Sequence, residues 1–257
     1  MELDRPQAAP SRGPRTRRIT WLGHASLLLE VAGVRLLTDP LLRGRVMHLR
    51  RRAPAPPDPR PVDGVLISHV HRDHLDRASL RRVAGPRVTA VVPAGAAALL
   101  EGLGFGAVRE VRPGVSVRLG DAEVLAVPAW HDGRRYPGAR ALDTLGFLVE
   151  GIWFAGDTEL AGELAELRGS VDVALVPVWG WGPKLGPGHL DPADAARAVA
   201  MIAPRQAIPI HWGTYYPIGL RPQGRLSDPP VEFAARAAEL APGVRVEQLA
   251  PGGSLTL

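Results

Sequence analysis

The sequence predicts an α/β fold of two packed sheets with helices on their outer faces. Three observations point that way: apolar strand-like runs gather first into hairpins, later runs alternate with helical segments, and the two halves are similar in size with no linker between them. The 257 residues, 46% hydrophobic and 22% charged, have the composition of an ordinary globular chain. At that length about 70–75% of the unfolded surface can be buried, so folding needs no covalent staple.

Residues 1–17 combine Pro, Gly, Ser and Arg with almost no apolar periodicity and read as a flexible basic arm, with residues 18–257 as one domain. Strands are expected over 19–21, 26–31 and 34–38, the last two joined by a tight Ala32-Gly33 turn. The Pro-rich residues 53–61 form a loop, and the continuous apolar run VDGVLIS (62–68) suits a fully buried strand. Asp76 can cap a helix through Ala78, Leu80 and Val83. Residues 89–108 are apolar enough to be scanned as a membrane span, but Pro93, Glu101 and several glycines break the run. They read as a strand and then a buried helix entered at Pro93. Two hairpins follow, 115–119 with 123–127 around Gly120-Asp121, and 142–150 with 152–155 around Gly151. The remainder alternates: helix 159–167, strand 172–178, helix 192–202, strand 206–210, helix 230–240, and strands near 244–248 and 254–257. Asp191-Pro192 is a cap and first-turn pair, and Ala195, Val199 and Ile202 share one face of the helix it starts.

The chain has no cysteine, which excludes disulfide scaffolds, thiolate zinc sites, iron–sulfur clusters and thiol nucleophiles. Any metal must be held by His, Asp or Glu. The net charge of +5 comes almost wholly from arginine, since Lys184 is the only lysine, and heavy Ala, Gly and Pro usage beside it fits a GC-rich coding genome. The excess is local, in residues 1–18 and in RGRVMHLRRR (43–52), where five arginines meet no acid. Arg17-Arg18 ahead of an apolar run superficially suggests a twin-arginine export signal. His24 and Glu30 interrupt that run and no small-residue cleavage site follows, so a strand in a cytoplasmic protein is expected instead.

The chemistry gathers in the histidines. Directly after VDGVLIS comes HVHRDHLD, which sets His69, His71, Asp73 and His74 within six residues. Positions two apart in an extended loop face the same way, so His69 and His71 can grip one ion. Asp73 and His74, where the chain turns toward the next helix, can face a second. Imidazole mixed with carboxylate suits zinc or another divalent first-row metal. His131, Asp157 and His211 each follow an expected strand and would converge on one sheet edge.

The pattern H-x-H-x-D-H, a later His, Gly156-Asp157-Thr158 and a final His resembles the metallo-β-lactamase superfamily of binuclear hydrolases, over residues 18–257. That resemblance implies a four-layer αββα sandwich with the ligands on loops at one edge. It also implies that His69, His71 and His131 bind one ion, that Asp73, His74 and His211 bind the other, and that Asp157 bridges both. The cofactors expected are two divalent ions, zinc foremost, with manganese or iron as alternatives. WLGHAS (21–26), TDP (38–40), GHLDPADA (188–195) and HWGT (211–214) are similar to the group of N-acyl-phosphatidylethanolamine phospholipase D and L-ascorbate 6-phosphate lactonase.

The expected reaction is hydrolysis by a hydroxide between the two ions, most naturally of a phosphodiester, with a phospholipid-like one in view. A lactonase or other carbonyl hydrolase on the same site is the alternative. A nuclease or nucleic-acid-binding role is disfavoured, because no inserted RNA-binding domain is found. Asp157 and Asp73 are expected catalytic groups, Asp157 by orienting the nucleophile and taking its proton. His189 is free of ligand duty and can donate to the substrate or leaving group. His24, His189, Arg43 and Arg45 are the candidate substrate contacts, the arginines through a cationic loop facing a small anionic or lipid-like substrate, with room for peripheral contact with a membrane surface. Trp179, Trp181 and Trp212 can line the pocket or pack beneath it.

Overall fold

The computed structural model describes residues 16–222 and 224–257, so the expected arm lies outside the described residues except at Thr16 and Arg17. The chain opens with an antiparallel meander, β1 (Arg18–Gly23), β2 (Ser26–Val31) and β3 (Val34–Thr38). Ala32 and Gly33, both at positive φ, make its second turn. A small hairpin follows, β4 (Arg45–Val46) and β5 (Leu49–Arg51), with Met47 at positive φ in its turn. Then come β6 (Gly64–Leu66), helix α1 (Arg77–Val83), β7 (Thr89–Pro93) and β8 (Ala107–Val111). Asp76 caps α1 as expected, accepting from the Ser79 amide at 2.9 Å.

The helix expected after Pro93 is replaced by a single 3-10 turn, Ala97–Leu100, and a strand. Gly95, Gly102 and Gly104 take left-handed φ values that an α-helix cannot hold, which leaves room for one turn only. The expected helix 159–167 is likewise a 3-10 segment, Gly162–Leu167, entered and left at glycine-flanked positions.

The second half runs β9 (Ser116–Leu119), β10 (Ala122–Pro128), β11 (Leu145–Val149), β12 (Ile152–Phe154), β13 (Val173–Pro177), helix α2 (Pro192–Ile202) and β14 (Gln206–Ile210). It closes with β15 (Tyr215–Pro217), helix α3 (Asp228–Leu240), β16 (Arg245–Val246) and β17 (Ser254–Thr256). One sheet has the order β17-β1-β2-β3-β6-β7-β8 and the other β16-β14-β13-β12-β11-β10-β9. A third, β15-β5-β4, was not expected from the sequence; its strands are too short to carry an alternation signal.

The layers follow from which faces are apolar. Ile19, Trp21, Leu27, Phe147, Phe154, Leu175 and Ile208 fill the space between the two large sheets. Leu37, Val65, Leu75, Leu80 and Val92 pack α1 on the outside of the first sheet. Ala195, Val199, Ile202 and Phe233 press α2 and α3 onto the outside of the second. The result is the four-layer αββα sandwich that the resemblance implied.

Candidate metal centre

The metal-competent side chains stand just past strand ends at one rim of the sandwich. His24 follows β1, Asp39 follows β3, His69 to His74 follow β6, His131 follows β10, Asp157 follows β12 and His211 follows β14. Two backbone bonds join the rims of the two sheets: Leu145 N to Ser68 O at 2.9 Å and His211 N to His24 O at 3.0 Å. His24, Asp39 and His211 all sit at positive φ, a costly conformation that tertiary contacts must hold in place.

One trio is made of imidazoles only. His69 Nε2 lies 3.0 Å from His71 Nδ1, which lies 3.0 Å from His131 Nε2. The outer nitrogens are anchored. His131 Nδ1 donates to the Gly188 carbonyl at 2.7 Å. His69 Nδ1 donates to Ser68 Oγ at 2.9 Å, and that hydroxyl donates onward to Asp39. Each anchor fixes the tautomer and turns a bare Nε2 lone pair inward.

A second group lies beside it. His74 Nδ1 donates to Asp39 Oδ2 at 2.7 Å and His211 Nδ1 to the Trp179 carbonyl at 2.8 Å, leaving their Nε2 atoms 3.2 Å apart. Asp73 Oδ2 stands 3.7 Å from His74 Nε2. Asp157 joins the groups: its Oδ1 is 3.2 Å from His211 Nε2, and its Oδ2 is 3.2 Å from His74 Nε2 and 3.5 Å from His189 Nε2. All seven ligands expected from the sequence are thus brought together.

The electrostatics suit a cation. Burial pushes the His211 imidazole down to about 3 and holds His69 well below its ordinary value. Burial alone would raise Asp157, but His211 and His74 outweigh it and hold the carboxyl well below the usual range. Burial acts downward on His74, yet Asp157 and Asp73 push it well above its ordinary value. Lone pairs converge here with few protein donors to satisfy them, and Asp157 Oδ1 is buried without a hydrogen-bond partner. Nitrogen and carboxylate oxygen without sulfur fit divalent first-row metals, and four overlapping sets each bring their ligand atoms within 4.8 Å of one another: His69, His71 and His131; His24, Asp73, His74 and His211; Asp39, His69 and His74; and His131, Asp157 and His189.

A cavity of about 320 Å³ opens onto His71, Asp73, Asp157 and His189. Met47, Leu49, Tyr136, Pro137 and Trp181 give it apolar walls. Of the three tryptophans considered, only Trp181 lines it; Trp179 donates Nε1 to the Gly182 carbonyl, and Trp212 packs on Trp21 with ring centres 5.0 Å apart. His48 lies at the cavity, its ring T-shaped against that of Trp181.

Three candidate substrate contacts do not face this cavity. His24 is 1% exposed and stands behind Asp73, its Nε2 3.0 Å from Asp73 Oδ2. Arg43 pairs with Asp76 at 2.6 Å, and Arg45 donates to the Met47 carbonyl at 3.1 Å. Arg51 is buried beneath the rim, holding the Leu22 and Pro54 carbonyls. Within the arginine-rich segment Arg45 braces its own hairpin, whereas Arg43 and Arg51 tie it to Asp76 and to the Leu22 and Pro54 carbonyls. Asp39 has a role that the sequence reading missed, although it follows an apolar strand just as His131, Asp157 and His211 do.

A sandwich whose rim gathers imidazoles and carboxylates about an apolar cavity defines a metal-dependent hydrolase of the metallo-β-lactamase fold. The chain belongs to the beta-lactamase superfamily, whose domain matches residues 34–212. A metal-dependent hydrolase of Methanopyrus kandleri is 35% identical over 92% of this chain and 98% of its own length. An N-acyl-phosphatidylethanolamine-hydrolyzing phospholipase D of Caenorhabditis elegans is 30% identical over 81% of this chain and 68% of the relative. Among solved structures, a metallo hydrolase from Ignicoccus hospitalis shares the fold with a TM-score of 0.70, at 22% identity over 95% of this chain and 99% of that one.

Proposed function

We propose that the protein is a binuclear hydrolase that cleaves a phosphodiester carrying an apolar arm. The observation that carries this reading is the pair of converging groups, His69, His71 and His131 beside Asp73, His74 and His211, with Asp157 between them. When bound, two divalent cations, zinc foremost, supply an acidified water and stabilise the charge that develops on substrate oxygens. Asp157 and Asp73 orient the water, and the unpartnered Oδ1 of Asp157 is the atom positioned to take its proton. His189 Nε2, on the open side of Asp157, donates to the substrate or leaving-group oxygen. Met47, Leu49, Tyr136 and Trp181 hold the apolar arm and keep bulk water off the rim. The phospholipase named above supports the phosphodiester and lipid-like chemistry.

The test is metal analysis paired with a panel of phosphodiesters, lactones and N-acyl phosphoethanolamines. Close to two divalent ions per chain and turnover of phosphodiesters, rising with acyl or aryl size, are expected. Asp157→Ala should abolish turnover and leave the circular dichroism spectrum unchanged. Turnover confined to lactones would replace the phosphodiester reading with a carbonyl one, and full activity in chelator-treated protein would sink both.

A further inference from the structure

A second cavity of about 430 Å³ adjoins the metal-centre cavity and shares Val46, Met47, Arg72 and Arg135 with it. Its polar lining is almost entirely guanidinium. Arg43, Arg72, Arg77, Arg81 and Arg135 meet a single carboxylate, Asp76. That carboxylate is already fully engaged, since Oδ1 takes Arg43 and Oδ2 takes the amide and hydroxyl of Ser79.

Two of the guanidinium groups are fixed by backbone carbonyls and a third by the Asp76 carboxylate. Arg77 donates to the Leu99 and Glu101 carbonyls. Arg135 reaches the Val70 carbonyl at 2.5 Å and the Leu75 carbonyl at 3.4 Å. Arg43 is held by Asp76, yet its Nε is buried with no partner. Arg72 and Arg81 have no acceptor among the described residues and stand free at the surface. Burial, and after it the neighbouring Arg72 and Arg77, push the Arg135 guanidinium below its ordinary value. Gathering cations against one spent acid costs energy, and a bound anion removes that cost. Planar guanidinium groups fixed in advance are suited to the oxygens of a phosphate, which they meet through paired N–H donors.

We propose that this arginine cavity binds a phosphate-type oxyanion beside the hydrolytic centre, independently of the metal ligands. Because the two cavities share a wall, the natural occupant is a phosphate on the substrate itself, distal to the bond that is cleaved. A free phosphate acting as effector or product has the same chemistry and is the other source. Only this assignment of source rests on the proposed hydrolase function; binding itself does not.

Calorimetric titration of the metal-loaded protein with inorganic phosphate tests the site. The wild type is expected to show a salt-sensitive binding step that Arg81→Glu weakens at least tenfold. Arg109→Glu, the same charge change on β8 outside both cavities, should leave that step intact. Any phosphate held at the metals is common to all three proteins and cancels. Equal weakening in both variants, or none in Arg81→Glu or the milder Arg81→Ala, overturns the proposal. Kinetics on two aryl phosphodiesters, with and without a terminal phosphomonoester, then separate the sources. A KM raised by Arg81→Glu for the phosphorylated member alone, with kcat kept, assigns the site to the substrate. Unchanged KM for both, with the calorimetric step still lost, assigns it to free phosphate. Inactivity on both substrates with the calorimetric step present refutes the phosphodiesterase reading and leaves the oxyanion site standing.

Discussion

Asp39 touches no candidate substrate surface, yet it braces both ligand groups: His74 directly, and His69 through Ser68. It is fully buried, and burial drives its carboxyl up against the hydrogen bonds from His74 and Ser68. Removing such an outer carboxylate typically weakens metal binding about 10–100-fold. Asp39→Ala is therefore expected to lose metal to a competing chelator at correspondingly lower chelator strength, and unchanged retention would show that Ser68 and the ring packing suffice. His189 is the opposite case. Its Nδ1 is held by the Gly186 and Pro187 carbonyls, so its Nε2 is aimed at Asp157 and the cavity; it stands within 4.8 Å of ligand atoms of His131 and Asp157 but is not one of the seven expected ligands. Burial lowers its basicity, but the contact with Asp157 wins and holds the imidazole above its ordinary value. His189→Ala should lower kcat roughly 10²-fold, in the range of a lost general acid, with metal content intact. Loss of metal in that variant would make His189 a ligand. The histidines were conspicuous in the sequence because of their spacing. Asp39 was not, because a lone aspartate before a proline reads equally well as a turn.

At the scale of elements, the site depends on strand ends and on loops that come very close together. Gly188 (φ +77) passes so near His131 that an added Cβ would stand 2.8 Å from Nδ1, the atom that donates to the Gly188 carbonyl. Both the left-handed backbone and the contact exclude a side chain there. Gly188→Ala should displace His131 and reduce bound metal toward one ion per chain while thermal unfolding shifts only slightly, as mass spectrometry under native conditions would show. The hairpin of β4 and β5 is held from the other side by Tyr215, whose hydroxyl donates to the Leu41 and Arg43 carbonyls, and by pairing with β15. That anchoring presents Met47 and Leu49 to the cavity and turns Arg45 away. A basic run of ten residues therefore yields an apolar wall, because backbone pairing settled which side chains face in.

Across the whole molecule, folding and metal loading are coupled through protonation. In the metal-free protein His69, His71, His131 and His211 are held below the ordinary imidazole value of 6.5, chiefly by burial. As pH falls below 6.5 the unfolded chain takes up these protons first, so their contribution to stability is lost progressively down to about 3 for His211. His74 and His189, held above 6.5, act in the opposite sense and keep their contribution through that window. Four groups outnumber two, so the unfolding midpoint of chelator-treated protein should be lower at about pH 5 than at about pH 7.5. A midpoint that rises on acidification would show that the His74 pairing dominates. Among the described residues no helix is long and apolar enough to cross a membrane.

The sequence by itself determined what is local: the strand runs, the capped helices at Asp76 and Asp191, and the grouping of metal-competent residues after strands. It also carried the sandwich architecture, through the superfamily pattern. Those features depend on spacing along the chain, which needs no knowledge of distant partners. Only the tertiary structure decided where each arginine points, that His24 backs Asp73, and that an apolar cavity and a cationic one share a wall. These outcomes depend on groups far apart in sequence, such as Arg77 with the Leu99 carbonyl and Tyr215 with Arg43. A long guanidinium side chain takes the direction of whichever acceptor folding brings within reach, and the local sequence does not record that acceptor.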